Sequence, residues 1–174
     1  MLCENSNYWA YIGLGQALFN HWSSTSYNLI GFSLSNGFNI DTDIEKISDV
    51  EFDIFINNAY SKYQQVELLY KLYEKNKDRK CTIINIGSAS SDGNVDRIKP
   101  YAIEKLALEK ACLQLQFNTS VCKVLLIKPG RMETPMVAHT NSKKIDLSYM
   151  VSTIDWLIAQ PENIAIRSIT IDSF

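Results

Sequence analysis

The chain has 174 residues, 46% of them hydrophobic and 21% charged, with a formal net charge of -2. That is the length and composition of one soluble globular domain with a substantial core, and a single domain over residues 1–174 is expected. The near-neutral balance leaves no basic footprint for nucleic acid, and no apolar run approaches the length of a membrane span. The first residues lack a basic start followed by an apolar block, so no secretory signal is read. Cys3, Cys81, Cys112 and Cys122 show no paired spacing. They read as free cysteines serving as small core residues, in a reducing cytoplasm. The two histidines lie far apart, and no metal site is expected.

Residues 1–11, MLCENSNYWAY, carry Asn5, Ser6 and Asn7 where a central buried strand needs an apolar run. The first strand is therefore expected to be atypical or missing. Ile12 to Trp22 reads as a turn entering a helix, and amides at Gly13, Leu14 and Gly15 suit a phosphate. Tyr27 to Ser33 reads as a strand, Leu34 to Gly37 as a turn and Phe38 to Ile40 as a short strand. Asp41 to Asp49 is acidic, a solvated turn and short helix. Phe52 to Ile56 is a buried strand running into Asn57-Asn58-Ala59-Tyr60. Gln64 to Glu74 places Val66, Leu68, Leu69, Leu72 and Tyr73 at helical spacing, for a core or a subunit contact.

Cys81 to Ile86 is a buried strand. Pro100 suits the first turn of a helix from Tyr101 to about Phe117, whose broad apolar faces serve the sheet and a second subunit. Val121 to Ile127 is the next strand, followed by the Pro129-Gly130 turn. About ten residues separate Pro135 from Asp146, which implies a short loop and an open site. Asp146 caps a helix from Tyr149 to Ala159, and Ile164 to Ile171 alternates as a last strand. Strands alternating with helices indicate an α/β layered sheet.

The chemistry concentrates between Ser88 and Lys105. Tyr101 and Lys105 are four apart, so on a helix they share a face. Ser88 follows a strand at its C-terminal end, where ligands of open parallel sheets bind. A phenol titrates near 10, and an ammonium beside it is expected to lower that value. Such a phenol exchanges a proton with a carbonyl or alcohol oxygen, and a serine hydroxyl holds the same oxygen.

Ser88, Tyr101-x-x-x-Lys105, the upstream Asn57-Asn58-Ala59 and the downstream Pro129-Gly130-x-x-x-Thr134 stand in the order of the short-chain dehydrogenase/reductase family, and the chain resembles that family over roughly residues 12 to 172. The resemblance implies a Rossmann-type, doubly wound parallel sheet. It implies hydride transfer between NADP or NAD and a small-molecule alcohol/carbonyl substrate, in a homo-oligomer. Tyr101 would be the acid-base. Lys105 would lower its pKa and hold the nicotinamide ribose, and Ser88 would steady the substrate oxygen. Gly13 and Gly15 match the second and third glycines of the family's T-G-x-x-x-G-x-G. Asn39 matches its adenine-contacting aspartate loosely, and Asn57, Asn58 and Ala59 tie the sheet to the adenosine side. Pro129, Gly130, Met132 and Thr134 form the loop beneath the nicotinamide.

The chain departs from the pattern at four places. Tyr8 and Trp9 stand where the threonine and first glycine belong, and Tyr60 replaces the glycine of Asn-Asn-Ala-Gly. The helix asparagine of the family is missing, with Gln64 or Gln65 at the equivalent turn. Neither a carboxylate nor an arginine follows the strand at 27–33, which leaves NAD against NADP open. The alternative is a catalytically inactive Rossmann-fold module that binds nucleotide or a protein partner.

Overall fold

The computed structural model describes residues 13–93, 98–118, 120–134, 139 and 141–174. The expectation for the first strand, with Tyr8 and Trp9, lies outside the described residues. Helix α1 is Leu14–Trp22, α2 is Ile44–Ser48, α3 is Gln64–Asn76, α4 is Pro100–Gln116 and α5 is Leu147–Ile158. Strand β1 is Ile54–Asn57, β2 is Thr82–Ile86, β3 is Lys123–Pro129 and β4 is Ser168–Ile171. Among the described residues these strands form one sheet in the order β1-β2-β3-β4, each pair parallel.

The middle strands are β-branched and apolar because both faces are covered. Phe55, Ile83, Val124 and Leu126 point to one face, where they meet Leu68, Leu69, Leu72 and Tyr73 of α3 and Leu108, Ala111, Cys112 and Leu115 of α4. Ile56, Ile84, Ile86, Leu125 and Ile127 point to the other, against Leu14, Leu18 and Trp22 of α1 and Met150, Val151 and Ile154 of α5. This is the doubly wound α/β arrangement. Asp155 fastens α5 to α1, accepting from Trp22 Nε1 and bonding His21 Nε2, both at 2.7 Å.

Pro100 is the first residue of α4, as its missing N–H suits. Asp146 caps α5 through Ser148 N. The apolar face of α3 is spent on the core. Cys81, Cys112 and Cys122 are free and buried in the first core cluster.

Two expected strands do not form. Residues 27–33 hold a single bridge residue at Gly31, and residues 38–40 are irregular. Local side-chain bonds hold part of their backbone. Asn36 Oδ1 accepts from Ser33 N at 2.8 Å, and Asn39 N donates to Asp43 Oδ2 at 3.1 Å. Such bonds compete with a strand ladder. The last strand is also shorter than its alternation suggests, starting at Ser168 rather than Ile164.

Candidate active site

The C-terminal edges of β1, β2 and β3 carry the site. Asn57 ends β1, and Ser88 lies two residues beyond the end of β2. Gly87 lets the chain turn there: its N donates to Ile127 O at 2.7 Å, and a Cβ on it would meet Leu126 Cδ1 at 2.9 Å. The Ser88 hydroxyl accepts from Ser90 N at 3.2 Å and bonds Ser90 Oγ at 2.8 Å. Tyr101 and Lys105 lie on the first turns of α4.

Lys105 is 4% exposed. Its Nζ donates to Gln65 Oε1 at 2.7 Å and to Ile86 O at 2.9 Å. On its other side lie two rings, with centroids 5.4 Å away for Tyr60 and 5.7 Å for Tyr101. Those rings meet edge to face at 5.0 Å. Burial lowers the Lys105 pKa to about 8, and the Glu104 carboxylate opposes the shift.

The expected lowering of the Tyr101 pKa by Lys105 is not found. Burial raises it, and the Ser88 hydroxyl pulls it partly back. The ammonium directs its bonds to Gln65 and Ile86, and it faces the ring of Tyr101. Near neutrality the Tyr101 phenol therefore holds its proton, ready to donate it.

Gln65, at 2% exposure, joins the parts. Its Nε2 donates to Asn57 O at 2.6 Å and to Ile86 O at 3.1 Å. Asn57 Nδ2 donates to Gln65 O at 3.0 Å and to Asn85 Oδ1 at 2.9 Å. Asn57 thus ties β1 to β2 and α3. Its Oδ1 is buried without a hydrogen-bond partner among the described residues.

Tyr60 is the marked departure. Its hydroxyl donates to Glu104 Oε2, and burial with that carboxylate pushes its pKa up to about 12. Its loop also holds Lys62 at φ 43, a left-handed conformation rare for a side chain with a Cβ.

A brace that the sequence did not reveal steadies the serine loop. Lys128, 8% exposed, bonds Asp92 Oδ1 at 2.6 Å and lies 3.4 Å from Glu109 Oε2. Ser91 Oγ donates to Glu109 Oε2 at 3.0 Å. The loop after β2 is so fixed to both β3 and α4. No local pattern signals an ion pair of this sequence separation.

The cofactor candidates divide into three groups. Gly13, at φ 105, stands before α1 without a side-chain cap, and Leu14 and Gly15 follow in the first turn. A Cβ on Gly13 would meet Thr134 Cγ2 at 3.2 Å, so the glycine turn and the loop after β3 are brought together. Thr134 N donates to Met132 O at 2.8 Å, and Met132 bridges Ile145. Pro129 ends β3. Gly130 N donates to Ile171 O at 2.7 Å, and a Cβ on Gly130 would lie 1.9 Å from Asp172 Oδ1, so this glycine serves a close crossing by the chain after β4. Asn58 is half-buried and Ala59 exposed in the turn beyond β1. Asn39 Oδ1 accepts from Asp41 N at 2.9 Å and is engaged in its own turn. The loop between Pro135 and Asp146 falls partly outside the described residues.

The sequence matches no family model and no curated protein. Solved structures do resemble the fold. A short-chain dehydrogenase/reductase from Vibrio parahaemolyticus is 15% identical, with a TM-score of 0.67 over 92% of this chain and 94% of that one. An alcohol dehydrogenase from the archaeon Thermococcus sibiricus, complexed with 5-hydroxy-NADP, is 12% identical, with a TM-score of 0.72 over 93% of this chain and 92% of that one. A 4-hydroxyisoleucine dehydrogenase complexed with NADH and succinate is 21% identical, with a TM-score of 0.71 over 94% and 95%. At these identities the likeness establishes the fold, and that fold is the short-chain dehydrogenase/reductase one.

Proposed function

We propose that the protein is an NAD(P)-dependent oxidoreductase acting on a small-molecule alcohol/carbonyl pair. The observation that carries this reading is the placement of Ser88 just beyond the C-terminal end of β2 and of Tyr101 and Lys105 on the first turns of α4, with Lys105 Nζ 5.7 Å from the Tyr101 ring centroid. The fold neighbours complexed with NADP(H) analogues or NADH support it.

The residues fit a dinucleotide. Gly13, Leu14 and Gly15 offer a helix start without a side-chain cap to the phosphates, beside Thr134. Asn58 and Ala59 would border its path past β1, and Asn39 would lie on the adenine side. Pro129, Gly130, Met132 and Thr134 would hold the nicotinamide. Bound there, the cofactor supplies or accepts the hydride. Ser88 positions the substrate oxygen. Tyr101, protonated near neutrality, gives its proton to that oxygen in reduction and takes it back in oxidation. Lys105 would hold the nicotinamide ribose, and Gln65 holds Lys105. Here a side chain bonds the ammonium directly, at 2.7 Å.

A second reading has one observation in its favour. The Tyr60 ring lies over Lys105, with its centroid 5.4 Å from Nζ, and crowds the space a ribose would take. A silent module of the same fold would keep it closed. Titration with NADPH and with NADH, followed by nicotinamide fluorescence, separates the two readings. Saturable binding is expected. Its absence with both nucleotides overturns the oxidoreductase reading. Given binding, Tyr101→Phe is expected to abolish turnover while leaving cofactor affinity within about twofold, which is under half a kcal/mol. Wild-type turnover in that variant removes Tyr101 from its role.

A further inference from the structure

The end of the sheet away from the serine loop holds a second chemical group. Cys81 and Cys122 immediately precede β2 and β3, whose first registered pair is Thr82 with Lys123. Lys123 N donates to Cys81 O at 2.8 Å, so the two cysteines stand side by side on neighbouring parallel strands. Both side chains join the core on the α3/α4 face. Their sulfurs are 2.9 Å apart. Neighbouring strands run about 4.8 Å apart, and disulfides span Cα separations of about 4.4–6.8 Å. Closing the remaining gap therefore asks for side-chain rotation and leaves the ladder in place.

We propose that Cys81 and Cys122 are a redox-active dithiol, oxidised by hydroperoxides to a disulfide that staples β2 to β3.

Three features support this beyond proximity. Cys122 lines a cavity of about 200 Å³ with Gln116, Ser120 and Lys123, at the N-terminal end of the strands. The cavity approaches the pair from the Cys122 side; Cys81 is not among its lining residues, and Cys122 and Cys81 are 5% and 4% exposed. The two thiols are also unequal. The hydrogen bond with Cys122 lowers the Cys81 pKa, burial opposes this, and the Arg79 charge adds to the lowering. The same contact and burial push Cys122 up. The lowered thiol at Cys81 favours it as the attacking sulfur, with Cys122 resolving. Cys112, 1% exposed and raised by burial, shares no such contact and is a built-in comparison.

The reaction balances with one hydroperoxide. The Cys81 thiolate attacks the terminal oxygen, an S–O bond forms and the O–O bond breaks. The departing alkoxide or hydroxide takes up a proton. Cys122 then loses its proton and attacks the Cys81 sulfur, so that S–S forms and S–O breaks with loss of water. Two thiols are oxidised, and the peroxide is reduced to an alcohol and water, or to two waters.

The test uses hydrogen peroxide on the full chain carrying Cys3→Ser, which removes a thiol outside the described residues. Two of the three remaining thiols should disappear from titration under denaturing conditions. Non-reducing digestion should join the peptides of Cys81 and Cys122 within one chain. The melting temperature should rise and return after dithiothreitol. In Cys122→Ser, the Cys81 sulfenic acid should be trapped by dimedone. The proposal is overturned if both thiols stay titratable, if they oxidise singly to sulfinic or sulfonic acid, or if the linkage forms only between chains. It is equally overturned if Cys112 reacts first. None of these outcomes depends on nicotinamide binding, so the oxidoreductase reading stands or falls separately.

Discussion

Gln65 offers the sharpest test of how the site is held. Gln65→Met keeps the length and apolar bulk of the side chain and removes every polar atom beyond Cβ. It deletes donations to Asn57 O at 2.6 Å and Ile86 O at 3.1 Å, and the acceptor that Lys105 Nζ uses at 2.7 Å. A bond to a charged group is worth about 1.5–3 kcal/mol and a neutral one about 0.5–1.5 kcal/mol. At 2% exposure water cannot replace them readily, so a loss of about 3–5 kcal/mol of stability is expected. Losing Oε1 also removes support for the ammonium, and the Lys105 pKa should fall below its value of about 8. Gln65→Glu shares the lost Nε2 donations but sets a carboxylate against the ammonium, which should raise that pKa. Both variants should unfold at lower urea, and they should move Lys105 in opposite directions. Urea unfolding at neutral pH reads the first effect. NMR titration of the lysine side chains, assigned with Lys105→Met, reads the second. A Gln65→Met protein as stable as the parent, with Lys105 titrating at the same pH in both variants, would refute the assigned role.

Three further outcomes are expected. Because the folded pKa of Lys105 is depressed from 10.5 to about 8, the unfolded chain binds the extra proton between those values, and stability should rise with pH across that window. Relative to Lys105→Met, the parent should gain about 3 kcal/mol between pH 7 and 10.5, and a flat difference in chemical unfolding would contradict the burial cost. Tyr60→Gly uncovers Lys105, so NADPH should bind about tenfold tighter, about 1.4 kcal/mol, and Lys105 should label faster with trinitrobenzenesulfonate; unchanged values of both would clear Tyr60 of its covering role. Ile103, Leu113 and Phe117 leave apolar surface exposed on and just beyond α4, so a dimer or larger is expected, and a monomer by sedimentation at tens of micromolar would count against it.

Most of the layered sheet was legible because its middle strands carry continuous apolar runs such as Thr82 to Ile86, bounded by turn residues. The segments at 27–33 and 38–40 misled for a physical reason. Their composition suits strands, but Asn36 and Asp43 bond their backbones locally, and such bonds are invisible to periodicity. In the site, Tyr101 and Lys105 were legible through helical spacing. The direction of the Tyr101 shift was not, because it depends on burial and on where the ammonium aims its bonds. Gln65 was visible only as one of two glutamines at a turn. The brace of Lys128 with Asp92 and Glu109 left no trace, since its members come from a strand, a loop and a helix.

The two buried lysines give the strongest internal argument about what the site is for. Burial pulls at Lys128, but Asp92 and Glu109 more than offset it, and its pKa ends raised. That is how a lysine is buried for structure: paired, and charged through the neutral range. Lys105 is buried as deeply, yet it bonds an amide oxygen and a carbonyl oxygen, and its nearest carboxylate at Glu104 accepts from Tyr60 instead. The depressed pKa is a cost of about 3 kcal/mol carried at neutral pH. An apolar residue on α4 would escape that cost but would leave Gln65 Oε1 buried without its donor. A cation kept underpaired beside a phenol, with a carbonyl and an amide fixing its position, is arranged to be completed by something that arrives from outside. Ribose hydroxyls are partners of that kind.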